Sequence, residues 1–208
     1  MATTDLDVGI TAAGLNASSA SDIIRAARAL FDAGSFREVT VGAVARAAGV
    51  NEVTIYRTFG SKDGLAAACW LGNLEKLRRG AVRDRRETAD TIARIERHLR
   101  RLARVSIQDR AITLALIQAV EHQTIERGSK IGALDPRKIV PLPTVLAPLV
   151  ADAQEAGRVT QAFTSFELSA FLTNSVFIRL MTRPHATPTE IADFVTHVVI
   201  EGIAPRDG

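Results

Sequence analysis

The sequence predicts an all-α protein, and three observations carry that reading. Apolar residues recur three and four positions apart through most of the chain, no stretch alternates as a half-buried strand does, and glycines or prolines interrupt the periodic segments at helix-length intervals. The layout expected is an N-terminal three-helix unit containing a helix-turn-helix, followed by a larger helical domain. At 208 residues and 47% hydrophobic, the chain can bury a core of that size.

Residues 1–20 are Ala-, Ser-, Thr- and Gly-rich with scattered acids and few large apolar side chains, so a mobile arm is expected there. The arm holds no Lys or Arg, which argues against its reading a minor groove. From Ser21 the period becomes helical: Ile23, Ile24, Ala27, Leu30 and Phe31 share a face, with Ser19 or Ser21 as N-cap. Gly34 and Ser35 end this helix and Phe36 returns to the core. Thr40 then caps a short second helix, Val41 to Ala48, which Gly49 breaks. Asn51 caps a third, Glu52 to Phe59, with Ile55 and Phe59 inward. Gly60 closes it and Ser61 caps a fourth. After a charged stretch from Arg78 to Asp90, further helices are expected at 92–105, 109–127, 143–157, 166–181 and 189–203. The segment 128–142, GSKIGALDPRKIVPL, reads as a loop.

Composition narrows the function classes. A single cysteine, Cys69, forms no intramolecular bridge, and no Cys/His spacing suits zinc, so no metal and no cofactor is expected. The N-terminus lacks the basic and apolar regions of a signal peptide, and no apolar run reaches membrane-spanning length, so a cytoplasmic protein without a membrane partner is expected. Catalysis would need a nucleophile with its base, paired carboxylates or a metal cluster. The four histidines, His98, His122, His185 and His197, are scattered, and neighbouring Glu121 and His122 point apart on a helix, so no catalytic residue is assigned and an enzyme is not expected. Net charge is only +3, yet eleven arginines crowd between Lys76 and Arg110, as either a solvated helical face or a DNA-facing flank.

Most of the information lies between Ser21 and Leu65. A helix-turn-helix needs two short helices, a small residue where they touch and a turn residue tolerant of positive φ, and Ala45 and Gly49 meet those needs. The wording is more specific than the geometry. The run IIRAARALFDAGSFREVTVGAVARAAGVNEVTIYRTFGSKDGLAAA resembles the DNA-binding domain of the TetR family of transcriptional regulators. The matching signs are Ala26, Ala27, Leu30 and Phe31; Thr40-Val41; Val44-Ala45 with Ala48-Gly49-Val50; Thr54-Ile55-Tyr56 with Phe59; and Ser61-Lys62-Asp63 with Leu65. Beyond Leu65 only length and helical layout agree.

The resemblance implies a DNA-binding domain over 21–65 and an effector-binding and dimerisation domain over 66–208. It sets Val53, Thr54, Tyr56, Arg57 and Thr58 on the recognition helix against DNA, and Thr40 and Lys62 at helix N-termini against phosphate, where free N–H groups favour an anion. Tyr56 as a packed aromatic and Lys62 as an ordinary surface lysine are the alternatives. Two departures stand out. Gly42 occupies a position where some relatives carry a basic base reader. Glu52 adds an acid that either accepts from cytosine or favours the helix N-terminus electrostatically, the second being sufficient without DNA.

The family resemblance also implies a homodimer on approximately palindromic double-stranded operator DNA, released by a small, mainly hydrophobic effector. Its last two helices would form the interface through Ala170, Phe171, Phe177, Ile178, Met181, Ile191, Phe194, Val195 and Val198. Pocket candidates are Trp70, Leu74, Leu102, Ile117, Val120 and Phe166, with Thr113, Glu121, His122 and Asn174 as polar selectors. The competing readings are a DNA-binding regulator without a working effector site and a helical enzyme.

Overall fold

The computed structural model describes residues 17–127 and 135–201, which form helices joined by turns and short connections, with no strand among the described residues. In chain order the helices are α1 (Ala17–Ala33), α2 (Val41–Ala48), α3 (Glu52–Phe59), α4 (Lys62–Glu87), α5 (Thr91–Gln108), α6 (Arg110–Arg127), α7 (Pro136–Ile139), α8 (Leu142–Glu155), α9 (Ser165–Thr182) and α10 (Pro188–Thr196), with a π-helical turn over His197–Glu201. None of them is long and apolar enough to cross a membrane.

The expected helices are present with displaced ends. Helix α1 begins at Ala17, so the last four residues of the anticipated arm form its first turn, while residues 1–16 lie outside the described part. The charged stretch after Arg78 continues α4 as far as Glu87, because Ala81 and Asp84 still turn inward while the arginines around them take the outer face. Within the anticipated 128–142 loop, Asp135 starts the short α7 by accepting the Arg137 N–H at 2.8 Å. The Arg137 guanidinium also binds this buried carboxylate, holding its pKa below the usual range. Residues 128–134 and the expected helix end at Ile203 fall outside the described residues.

The chain divides into two compact units, 1–71 with 110–140, and 72–109 with 141–208. In the first, α1 packs on α2 and α6, α2 on α3, and α6 on α7. Its core is built from Ile23, Ala27 and Phe31 of α1, Val44 and Ala45 of α2, Ile55 and Phe59 of α3, and Leu65 and Trp70 of α4. Full burial of one such large side chain is worth about 1.5–3 kcal/mol, so short helices that would not persist alone are held by this shared core. The three helices of 21–65 therefore sit in a larger unit that includes α6.

In the second unit α5 is central, packing on α8, α9 and α10, while α8 packs on α9. Ile95, Leu99 and Leu102 of α5 meet a core that includes Leu146, Leu149, Val176 and Ile191. Capping boxes define the starts of α9 (Thr164 with Glu167) and α10 (Thr187 with Glu190). Asp152 of α8 accepts from Arg85 at 2.8 Å and Arg94 at 2.9 Å, joining α4, α5 and α8.

Candidate nucleic-acid interface

The helix-turn-helix is assembled by local caps. Thr40 is extended (φ −105°, ψ 152°) and its hydroxyl accepts the Ala43 N–H at 3.1 Å, giving α2 its N-terminus. At the other end Gly49 takes φ 67° and ψ 31°, and the Val50 N–H reaches back to the Ala45 carbonyl at 3.0 Å. A Cβ on Gly49 would meet nothing within 4 Å, so glycine serves the left-handed backbone there rather than close packing. Asn51 caps α3 through a 2.9 Å bond from the Val53 N–H.

On α3, Ile55 and Phe59 are buried one turn apart, which turns the opposite face outward. Val53 is 69% exposed and Tyr56 49%, with Arg57 exposed beside them. Thr54 is half-buried at the edge of this face. Thr58 is corrected: it is only 3% exposed and its hydroxyl donates to the Thr54 carbonyl at 2.8 Å, so it faces the domain core and not a groove.

Lys62 is corrected as well. Its Nζ donates to the carbonyls of Phe36 at 2.8 Å and Val39 at 3.1 Å, and lies 4.3 Å from the centroid of the Phe36 ring. Partial burial lowers its pKa. The ammonium therefore ties the α1–α2 connection to the start of α4, in place of reaching phosphate. Next to it, buried Asp63 accepts from Gln123 Nε2 and pairs with His122 Nδ1 at 3.0 Å, linking the start of α4 to α6. The sequence marks Asp63 as part of the Ser61-Lys62-Asp63 motif but assigns it no partner, since Gln123 and His122 lie 60 and 59 residues away.

The two sequence departures explain each other. A Cβ on Gly42 would stand 2.7 Å from Glu52 Oε1 and 3.6 Å from an Arg46 guanidinium nitrogen. The missing side chain at 42 thus leaves room for the Glu52 carboxylate between the starts of α2 and α3, in keeping with the structural reading of Glu52.

The pocket candidates divide between the units. In the first, Trp70 and Thr113 are fully buried and the indole Nε1 donates to the Thr113 hydroxyl at 3.0 Å, so that hydroxyl is already engaged. Ile117 and Val120 of α6 are half-buried. In the second, Leu74 and Leu102 are core residues. Glu121, His122, Phe166 and Asn174 are corrected: all four are exposed, and His122 serves Asp63.

The interface candidates separate by helical phase. Phe171 (58% exposed), Ile178 (57%) and Met181 form an outward stripe on α9, and Phe194 of α10 is exposed beneath the Arg179 guanidinium at 3.8 Å. Ala170, Phe177 and Val198 are half-buried along its margins. Ile191 and Val195 are corrected, since both are buried in the core of their own unit.

Residues 23–69 match the family model for bacterial regulatory proteins of the tetR family. No curated protein matches the sequence. Among solved structures, the chain is similar to Thermus thermophilus FadR, a TetR-family transcriptional repressor in complex with lauroyl-CoA (TM-score 0.73, 20% identity, covering 91% of this chain and 97% of that one). It is also similar to the fatty acid degradation regulator FadR from Bacillus halodurans (0.64, 18%, 92% and 100%). A third is the transcriptional regulator FadR from Bacillus subtilis in complex with stearoyl-CoA (0.60, 13%, 88% and 99%). At these identities the likeness is one of fold.

Proposed function

We propose, from the match of residues 23–69 to the model for bacterial regulatory proteins of the tetR family, that the chain is a member of that family and a homodimeric transcriptional repressor released from operator DNA by a small, mainly hydrophobic effector. The observation that carries the DNA-binding part is the capped, glycine-turned α2–α3 pair, whose outer face offers Val53, Tyr56 and Arg57 while its inner face is locked in the core. Tyr56 and Arg57 supply hydroxyl and guanidinium donors to phosphates or base edges, with Thr54 beside them. The exposed N-terminus of α2 at Thr40 adds a phosphate site through its backbone N–H groups.

A dimer is needed to fill two major-groove half-sites about 34–36 Å apart, and the apolar stripe on α9 with Phe194 is the surface it would bury. Residues 66–208 then hold the effector and the interface, and the protein works in the cytoplasm, where its operator is. The two structural relatives with acyl-CoA in complex support an effector with a long apolar part.

Selection from a pool of random double-stranded DNA tests this reading. It should enrich one inverted-repeat sequence, bound by the dimer, and a panel of fatty acyl-CoA thioesters should contain a member that lowers the affinity. Failure to enrich any sequence would refute the operator reading; enrichment that no member of a broad hydrophobic panel reverses would favour a regulator without a working effector site. Because coupling is reciprocal, operator DNA must weaken effector binding by the same factor.

A further inference from the structure

In the second unit, a cleft of about 400 Å³ opens between the C-terminal half of α4 and α5, lined by Arg83, Arg97, Arg100, Arg101 and Arg104 with Asp84 and Glu87. Five guanidinium groups and two carboxylates line this concave space of ligand size; Arg100 is also paired with Glu96 and with Asp193 at 3.1 Å, Arg101 with Asp84, and Arg83 and Arg97 share Glu87, which leaves Arg104 as the surplus cation. From this cleft we infer a binding site for the phosphate or diphosphate group of a small molecule, which under the effector reading above is the anionic end of the effector.

The floor of the cleft is built rather than merely charged. Asp84 is 1% exposed and accepts both of its Arg101 bonds, at 3.1 and 2.8 Å, from the single nitrogen Nη2. Arg101 reaches it by lying across Gly80, where any Cβ would overlap the guanidinium, so the glycine on α4 admits this arginine. Arg101 Nη1, packed against Gly80, and Arg100 Nε are buried without an acceptor among the described residues, so both belong to the floor and not to the opening. The donors open to an anion are those of exposed Arg83, Arg97 and Arg104, whose planar forks suit phosphate oxygens better than isolated ammonium groups do. At the rim, Arg83 and Arg97 share Glu87 only at 3.7 and 3.8 Å, too long for hydrogen bonds, so an incoming anion displaces little. A solvated arginine face would require neither the glycine seat nor the engaged Asp84.

Isothermal titration of the full chain with inorganic pyrophosphate, in 150 mM salt, tests the site independently of DNA. Pyrophosphate should bind with one equivalent per chain, and Arg97→Gln with Arg104→Gln should weaken it at least about tenfold. A control variant, Arg78→Gln with Arg86→Gln, removes the same charge from exposed α4 residues outside the cleft and should bind as the parent does. Equal weakening in both variants, or no binding by the parent, would overturn the site and leave diffuse attraction only. Orthophosphate in place of pyrophosphate separates the ligand forms: weaker binding supports a diphosphate, and equal binding a single phosphate. Operator affinity of the cleft variant without ligand should match the parent, so failure of the repressor reading and failure of this site are read on different instruments.

Discussion

Replacing Lys62 by Met separates two roles for that residue. The substitution keeps an unbranched stem against Phe36 and deletes the ammonium that donates to the Phe36 and Val39 carbonyls. Hydrogen bonds from a charged donor are worth about 1.5–3 kcal/mol each, and a cation over an aromatic face about 0.5–1 at an exposed site. Lys62 is only partly buried, its desolvation opposes these gains, and water can reach the carbonyls in the variant, so a net loss of about 2 kcal/mol is expected. For a chain of this length that corresponds to a melting temperature lower by about 4–8 °C. Calorimetry should show this loss without ligand or DNA present. An unchanged melting temperature, together with weaker operator binding and a salt dependence shallower by about one unit of log–log slope, would refute the tie and restore the phosphate contact.

Arg57→Ala should change which selected operator is preferred, and Tyr56→Phe should lower affinity by about 1 kcal/mol, roughly fivefold, with the circular dichroism unchanged; intact affinity in both would remove α3 as the reading helix. Ile178→Asp should convert the dimer to folded monomer in sedimentation, whereas Val195→Asp, in the core of its unit, should unfold the protein by leaving a buried charge unpaired; a stable Ile178→Asp dimer would place the interface elsewhere. Burial, with the Arg101 charge beside it, pushes the fully buried His98 from 6.5 down to about 3. The folded protein therefore excludes a proton that the unfolded chain takes up below pH 6.5, and stability should fall between pH 6.5 and 3, by up to about 1.4 kcal/mol per pH unit from this group. His98→Leu should remove that component from urea-unfolding curves, and an unaltered pH slope would show that His98 is protonated without cost.

Helix type, order and most caps of this protein were determined by sequence alone, because they are local. Thr40, Asn51 and Ser61 act on N–H groups two or three residues away, Gly49 answers its own φ, and the spacing of Ile55 and Phe59 dictates which side of α3 is hidden. The family resemblance set Val53, Thr54, Tyr56, Arg57 and Thr58 against DNA together, and the structure turns Val53, Tyr56 and Arg57 outward while it hides Thr58. What only the tertiary structure decided is how long polar side chains and doubly apolar helices are used, since these depend on partners far away in sequence. Lys62 could have reached solvent or phosphate, and its direction was set by the carbonyls of a loop twenty-three and twenty-six residues earlier. Gly80 and Arg101 look unrelated until α4 and α5 are laid together. On α10 every apolar residue carries the same label in the sequence, but α5 buries Ile191 and Val195 and leaves Phe194 outward; burial is a property of the neighbour as much as of the residue.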